Sequence, residues 1–214
     1  MATDTILHYF PELSSHQQRQ LQQLRELFTE WNNKINLVSR KDIENLEIHH
    51  FLYSLAIARH FPFKEGCTVL DAGTGGGLPG LPLAIYFPEV RFILADSIGK
   101  KIRAVQSMAE SLDLKNVTAI CTRVEQLDGP YDFITGRAVT SLPEMAKILK
   151  GKISSKNLNP FPNGLLYLKG GDFSEEAAKL TASFKIYELH DLFSESFFDT
   201  KKLIYIYGDE LLKK

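Results

Sequence analysis

Leu21, Leu24, Phe28 and Trp31 recur three and four residues apart, the spacing that lines one face of a helix with apolar side chains. Ser15, followed by Gln18, offers a capping box for its start. A second apolar series, Ile43, Leu46, Phe51, Leu55 and Ala58, stops at Pro62, with Asn32 and Asn33 in the turn region between the two. Residues 14–60 therefore read as helical. From Cys67 the period shortens. Strands are expected at Cys67–Asp71, Arg91–Asp96, Val117–Cys121, Tyr131–Thr135, Gly164–Leu168, Lys185–Leu189 and Leu203–Tyr207. Between them lie helical stretches ending at Phe87 (with Pro79 and Pro82 near its start) and spanning Lys100–Leu112, Ser141–Leu149 and Ser174–Phe184. Strands alternating with helices of this length predict an α/β fold: a doubly wound, mostly parallel, seven-stranded sheet under a helical N-terminal cap. The last two strands have no good helix between them, which suits an antiparallel closing pair. The expected organisation is a cap over residues 1–64 and a ligand-binding sheet domain, one compact unit, over 65–214.

Composition narrows the class without naming a function. The 214 residues are 44% hydrophobic and 24% charged, as in an ordinary globular protein. The two cysteines, Cys67 and Cys121, form no Cys-x-x-Cys or Cys/His cluster, so neither a disulfide framework nor a metal site is expected. No apolar run approaches the length needed to span a bilayer, and Met1 to Pro11 lack the basic start of a signal peptide. The expected location is the cytoplasm. A net charge of −1 does not announce a nucleic-acid binder, but Ser97 to Lys156 hold ten Lys/Arg against six Asp/Glu, with Lys147, Lys150, Lys152 and Lys156 at the end. Alone, such a cluster reads most simply as a solvated loop.

The first strand runs into Asp71-Ala-Gly-Thr-Gly-Gly-Gly77-Leu-Pro-Gly80. In a doubly wound sheet the ligand sits beyond the strand C-termini where strand order reverses, and such a turn marks that point. Gly73, Gly75 and Gly77 let the backbone turn sharply and approach a ligand closely. Asp71 can fix the turn through backbone N–H groups or act on the ligand through water. Asp96, ending the second strand, can accept hydrogen bonds from two ribose hydroxyls, with Ser97 as a helix cap beside it. These features fit either a nicotinamide dinucleotide or S-adenosylmethionine: Gly75-x-Gly77-x-x-Gly80 formally matches the dinucleotide fingerprint, a weak signal alone. The acid two residues before Gly73, and Glu125 within Thr122-Arg-Val-Glu125 as an acceptor for an adenine amino group, favour the methyl donor. A hydride-transfer pairing such as Tyr-x-x-x-Lys is missing from the sequence. A third alternative is a non-catalytic RNA-binding factor that keeps the fold.

Several stretches together are far more restrictive than a glycine loop. They are Trp31-Asn-Asn-Lys-Ile-Asn-Leu37, Asp71 through Leu83, Asp96-Ser-Ile-Gly-Lys-Lys101, Arg123-Val-Glu125, Gly136-Arg-Ala138 and Leu168-Lys-Gly170. In these the chain resembles the bacterial glucose-inhibited division protein B family, also called ribosomal RNA small-subunit methyltransferase G. The resemblance implies a class I (Rossmann-like) methyltransferase sheet. It also implies transfer of a methyl group from S-adenosylmethionine to N7 of a guanosine in a loop of 16S rRNA, presented as free rRNA or as a small-subunit particle. It carries over a cofactor site in which Gly73 and Leu78 line the methionine and adenosine region, Val124 and Glu125 flank the adenine, and Arg137 faces the pocket. The chain departs from the family at Tyr53, where an aspartate is common after His-x-Leu, and at Gly136, where serine is common. Both departures bear on the RNA side and on the shape around Arg137.

Guanine N7 has a free lone pair and no proton at neutral pH, so no general base is expected. Positioning should dominate. An arginine bidentate to O6 and N7 would cover the atom to be methylated, so Arg137 is expected to orient the cofactor carboxylate or a phosphate. Lys169 is a second positioning candidate in the same mouth. His49 and His50 read as helix residues at an interface, and Trp31 as cap core. Lys100, Lys101, Arg103, Lys147, Lys150, Lys152 and Lys156 are the candidate RNA contacts. A monomer without a stable protein partner, metal or membrane attachment is expected.

Overall fold

A computed structural model describes residues 4–211 of the chain. A short helix α1 (Asp4–Tyr9) precedes the long α2 (Ser15–Ile35), which buries Leu21, Leu24 and Phe28. The capping box is one residue earlier than the sequence suggests: Ser14 is the cap, and Gln17 closes it. Gln17 wins the position because its amide also donates to the carbonyls of Ile85 and Tyr86, tying the cap to the helix it covers. The chain does not turn at Asn32 and Asn33. Asn32 is buried inside the last turn of α2, where its Oδ1 accepts from the Val38 amide at 2.8 Å. Asn36, in the left-handed region at φ 50°, ends the helix, a conformation asparagine tolerates better than most residues.

The expected second helix forms in three pieces. A 3-10 turn (Ile43–Asn45) and a π-helical turn (Glu47–Leu52) lead into α3 (Tyr53–His60). Widened turns of this kind re-aim side chains and often lie at functional sites; here the wide turn carries His49 and His50.

The sheet then builds from β1 (Thr68–Ala72), α4 (Gly80–Tyr86), β2 (Arg91–Asp96), α5 (Gly99–Ser111), β3 (Val117–Cys121) and β4 (Phe133–Arg137). It continues through α6 (Leu142–Ile148), β5 (Gly164–Gly170), α7 (Ser174–Ala178), β6 (Phe184–Glu188), β7 (Lys201–Tyr207) and α8 (Gly208–Leu211). Strand order is β3-β2-β1-β4-β5-β7-β6, with β7 antiparallel to both neighbours. The seven strands and the antiparallel closing pair are as the sequence predicts. Most boundaries shift by one or two residues, β7 for instance beginning at Lys201 and β5 ending at Gly170. β4 begins two residues later, because Tyr131 makes only a bridge to Ile153. The helix expected over Ser174–Phe184 stops at Ala178, and the chain returns extended into β6.

Alternate residues of each strand divide between two cores, as a pleated sheet covered on both faces requires. Val69, Leu94, Leu166, Leu203 and Tyr205 join the side shared with the N-terminal helices; Leu70, Ala95, Leu165, Ile204 and Ile206 join the side under α6. The N-terminal helices thus share one continuous core with half of the sheet. The C-terminal segment completes the contact: Tyr9 accepts from the Ser194 amide at 2.9 Å, donates to Glu195, and packs edge-on against Phe193.

Candidate active site

Strand order reverses at β1 and β4, and a cavity of about 490 Å3 opens at the C-terminal ends of β1 to β4. Gly73, Thr74, Gly75, Gly76, Leu78, Asp96, Ser97, Lys101, Val124, Glu125 and Arg137 all line it. Of the residues expected at a cofactor, two do not reach it. Asp71 is 0% exposed beneath the turn, where it accepts from Thr74 Oγ1 (2.5 Å), the Gly80 amide (2.9 Å) and Thr135 Oγ1 (3.1 Å). Burial pushes its carboxyl up to about 6, against the pull of these three donors. Asp71 therefore shapes the turn; action on a ligand through water is excluded by its position. Gly77 faces away, its missing Cβ leaving room for Leu81.

Gly73 and Gly75 hold φ of +66° and +58°, where L side chains are strained. A Cβ on Gly73 would meet Val139 at 2.7 Å, whereas one on Gly75 would meet open space. Gly76 answers to the cap instead: a Cβ there would lie 3.0 Å from both Leu37 and Phe28. This gives the Trp31–Leu37 stretch its physical task. Asn32 and Asn36 shape the end of α2 so that Leu37 lies against the glycine turn and becomes part of the cavity wall. Trp31 is half-buried against the core with Lys34 Nζ 5.1 Å from its ring centre, in keeping with a packing role.

Asp96 is the central acceptor of the cavity. Its Oδ2 accepts from the Gly75 amide at 3.0 Å, and Oδ1 from the Ile98 amide at 2.8 Å. A carboxylate has about four acceptor sites, so about two remain. Ser97 is exposed, and its side chain does not cap the helix; Asp96 takes the Ile98 amide. Ile98 and Val139, also in the lining, are large apolar residues left 41% and 39% exposed.

The lysines divide. Lys100, Arg103, Lys147, Lys150 and Lys156 are exposed, and Lys101 lines the cavity. Lys152 is not a free surface cation. Its ammonium donates to the backbone carbonyls of Glu125 and Leu127, bracing the wall that carries Val124 and Glu125.

A second cavity, about 460 Å3, adjoins the first, with Arg137 and Ala138 lining both. Arg137 Nη1 donates to His50 Nδ1 at 3.0 Å, and His50 Nε2 donates to Asp42 Oδ2 at 2.6 Å. His49 Nδ1 donates to the other carboxylate oxygen of Asp42, also at 2.6 Å. Burial, and then the charge of Arg137, lower the His50 pKa to about 4, so the ring is neutral and its tautomer follows from its two partners. Burial opposes ionisation of Asp42, but the bonds from His49 and His50 outweigh it and hold its carboxyl below the ordinary value. The sequence reading missed this network; the available signal was an aspartate seven and eight residues ahead of paired histidines. Lys169 lines the second cavity, not the first, and is held by Glu176 at 2.6 and 2.7 Å. Both departures from the family pattern find neighbours here. Tyr53 lies under Arg137, its ring centre 6.0 Å from the guanidinium carbon. Gly136 leaves room for the Tyr167 ring, whose hydroxyl fastens the loop at Val139 and Thr140.

The strand order, the glycine turn and the cavity above it define the fold of S-adenosylmethionine-dependent methyltransferases. A solved structure of such an enzyme from Aquifex aeolicus superposes with a TM-score of 0.55 at 18% identity, over 79% of this chain and 98% of that one. Fibrillarin from Aeropyrum pernix, solved with natively bound S-adenosyl-L-methionine, gives 0.51 at 15%, over 73% and 76%. These likenesses establish the fold.

Residues 17–205 match the family described as rRNA small subunit methyltransferase G, and the chain belongs to that family. A relative from Christiangramia forsetii, named ribosomal RNA small subunit methyltransferase G, is 49% identical over 206 residues, 96% of this chain and 97% of that protein. Membership decides between the two readings of the glycine turn in favour of the methyl donor. Among the described residues no helix is long and apolar enough to cross a membrane.

Proposed function

We propose that the chain transfers a methyl group from S-adenosylmethionine to N7 of one guanosine in 16S rRNA, acting as a monomer in the cytoplasm. The observation that carries this reading is the pair of cavities meeting at Arg137 and Ala138: one is built as a nucleoside-ligand site, the other is open beside it. The residues present fit the cofactor. Asp96 has acceptor capacity left for two ribose hydroxyls, the exposed faces of Ile98 and Val139 suit a flat apolar ring, and Gly75 leaves space where a side chain would intrude. Val124, Glu125, Ser97, Gly73 and Leu78 complete the lining.

When bound, the cofactor supplies a methyl group on a positively charged sulfur. The N7 lone pair takes that methyl, and the electrons of the broken bond stay with sulfur, so no proton leaves the base in this step. The protein's part is orientation. Arg137, fixed by His50, sits at the junction where it can orient a carboxylate or phosphate without moving. Because N7 of a paired guanine lies in a deep, narrow groove, the target must be a loop nucleotide or one splayed from its stack. Lys100, Arg103, Lys147, Lys150 and Lys156 are exposed and are the candidates to meet phosphates. The decisive experiment is mass analysis of rRNA nucleosides from cells with and without the gene, together with methyl transfer by the purified protein. Loss of one N7-methylguanosine is expected; unchanged nucleosides would refute the proposal.

A further inference from the structure

We propose that the second cavity receives the target guanine itself, and that Asp42 reads the base's Watson–Crick edge. This rests on the reading of the chain as a guanine-N7 methyltransferase. Attack through N7 turns the N7/O6 edge of the base toward the cofactor cavity, so N1 and N2 must point away from it. On that far edge guanine presents two adjacent donors, N1–H and N2–H. Adenine and cytosine each offer one donor beside an acceptor, and uracil one donor between two carbonyls.

The cavity is built for that pattern. Its volume of about 460 Å3 falls within the range of small-ligand sites. Tyr53 and Phe197 supply aromatic wall, and His49 stacks on Phe197 at 4.0 Å between ring centres. Asp42 is the one carboxylate among the described residues lining the cavity. It lies one imidazole beyond Arg137 and is absent from the lining of the first cavity. Each of its oxygens accepts one histidine N–H at 2.6 Å, which fixes the carboxylate plane and leaves acceptor capacity on both atoms. Lys201, whose ammonium lies 4.5 Å from the Phe197 ring centre, suits a phosphate flanking a splayed nucleotide.

The same contact contributes to rate. Methylation at N7 leaves the base cationic and makes N1–H and N2–H stronger donors. The bonds to Asp42 therefore tighten as the methyl transfers, which lowers the barrier beyond what ground-state binding would do.

Guanosine 5′-monophosphate and inosine 5′-monophosphate differ by the 2-amino group and share N7, so they isolate the proposed contact. Their binding to the protein saturated with S-adenosylhomocysteine is measured by NMR, for the wild type, Asp42→Asn and Asp42→Ser. The wild type should prefer the guanine nucleotide by about tenfold or more, and both variants should bind the two equally. The rate of rRNA methylation at saturating RNA should fall about a hundredfold, and S-adenosylhomocysteine affinity measured on the same variants reports whatever part of that loss runs through His50 and Arg137. Equal binding of the two nucleotides by the wild type, binding of neither, or a preference kept by the variants would overturn the assignment. Should a variant not fold, the wild-type contrast alone decides. A wild type that discriminates the nucleotides but methylates no rRNA would instead count against the enzymatic reading.

Discussion

Arg137 and His50 lie 87 positions apart in the chain, yet the guanidinium donates to His50 Nδ1 at 3.0 Å. The bond requires a neutral ring with its proton on Nε2, and Asp42 holds that proton. Three residues from the widened turn region and the end of β4 thus fix one cation at the wall between two cavities.

His50 should make the protein acid-sensitive. Its folded pKa of about 4 lies below the ordinary 6.5, so its contribution is fully present above pH 6.5 and is lost as pH falls toward 4. Between pH 7.5 and 4.5 the wild type should lose about 2–3 kcal/mol more than His50→Gln, whose amide can accept and donate but does not titrate. Asp71 works in the opposite sense: raised to about 6, it adds stability as pH falls through 6 toward the ordinary carboxyl range. Both proteins share Asp71, so the difference isolates His50. Urea unfolding at the two pH values measures it, and equal losses would contradict a His50 ring held neutral by burial and Arg137.

Asp96→Ala should weaken S-adenosylmethionine binding by one to two orders of magnitude, since a charge-assisted bond contributes about 1.5–3 kcal/mol. It also strips acceptors from the Gly75 and Ile98 amides, so the unliganded protein should melt earlier. Calorimetry with S-adenosylhomocysteine and a melting scan separate the two effects. An unchanged dissociation constant would remove Asp96 from the ligand.

Gly76→Ala tests the join between the cap and the turn. Its Cβ would press on Leu37 and Phe28 at 3.0 Å, so stability should fall by about 1–3 kcal/mol. Phe28→Leu in the same chain should recover part of the loss. Additive losses in the double variant would show that the contact is not the cause.

The four clustered lysines should not behave alike. Lys147→Gln, Lys150→Gln and Lys156→Gln together should slow rRNA methylation at physiological salt, flatten its salt dependence and leave cofactor affinity intact. Lys152→Gln should instead weaken cofactor binding, because it releases the carbonyls of Glu125 and Leu127. Methylation rates and calorimetry across a salt series distinguish them.

Period and turn chemistry made the strands legible, because a sheet covered on both faces demands apolar runs between glycines and prolines. The helix expected after β5 is shorter in the structure for a related reason: Ala177, Leu180 and Phe184 carry a helical spacing, but nothing in the sequence announces the extended return into β6. Gly73, Gly75 and Asp96 line the cavity because a turn after β1 and an acid ending β2 meet where those strands pair, whereas Gly77 turns toward Leu81. Asp71 was ambiguous, since whether a carboxylate faces inward or outward at a strand end depends on Thr74, Thr135 and Gly80 meeting beneath it. The Asp42–His50–Arg137 chain was hidden because its members lie on separate elements, and only the packed sheet brings them together. Lys152 looked like its neighbours for the same reason.

The bond of Tyr9 to Ser194 and Glu195 bears on the order in which the chain is made. A ribosome delivers Tyr9 of α1 early and the segment that it bonds to some 185 residues later. Until then the face of α1 that Phe193 covers has no native partner, and this part of α1 must wait for the segment between β6 and β7. Nascent chains arrested before residue 190 should therefore leave α1 open to protease, and release of the full chain should protect it.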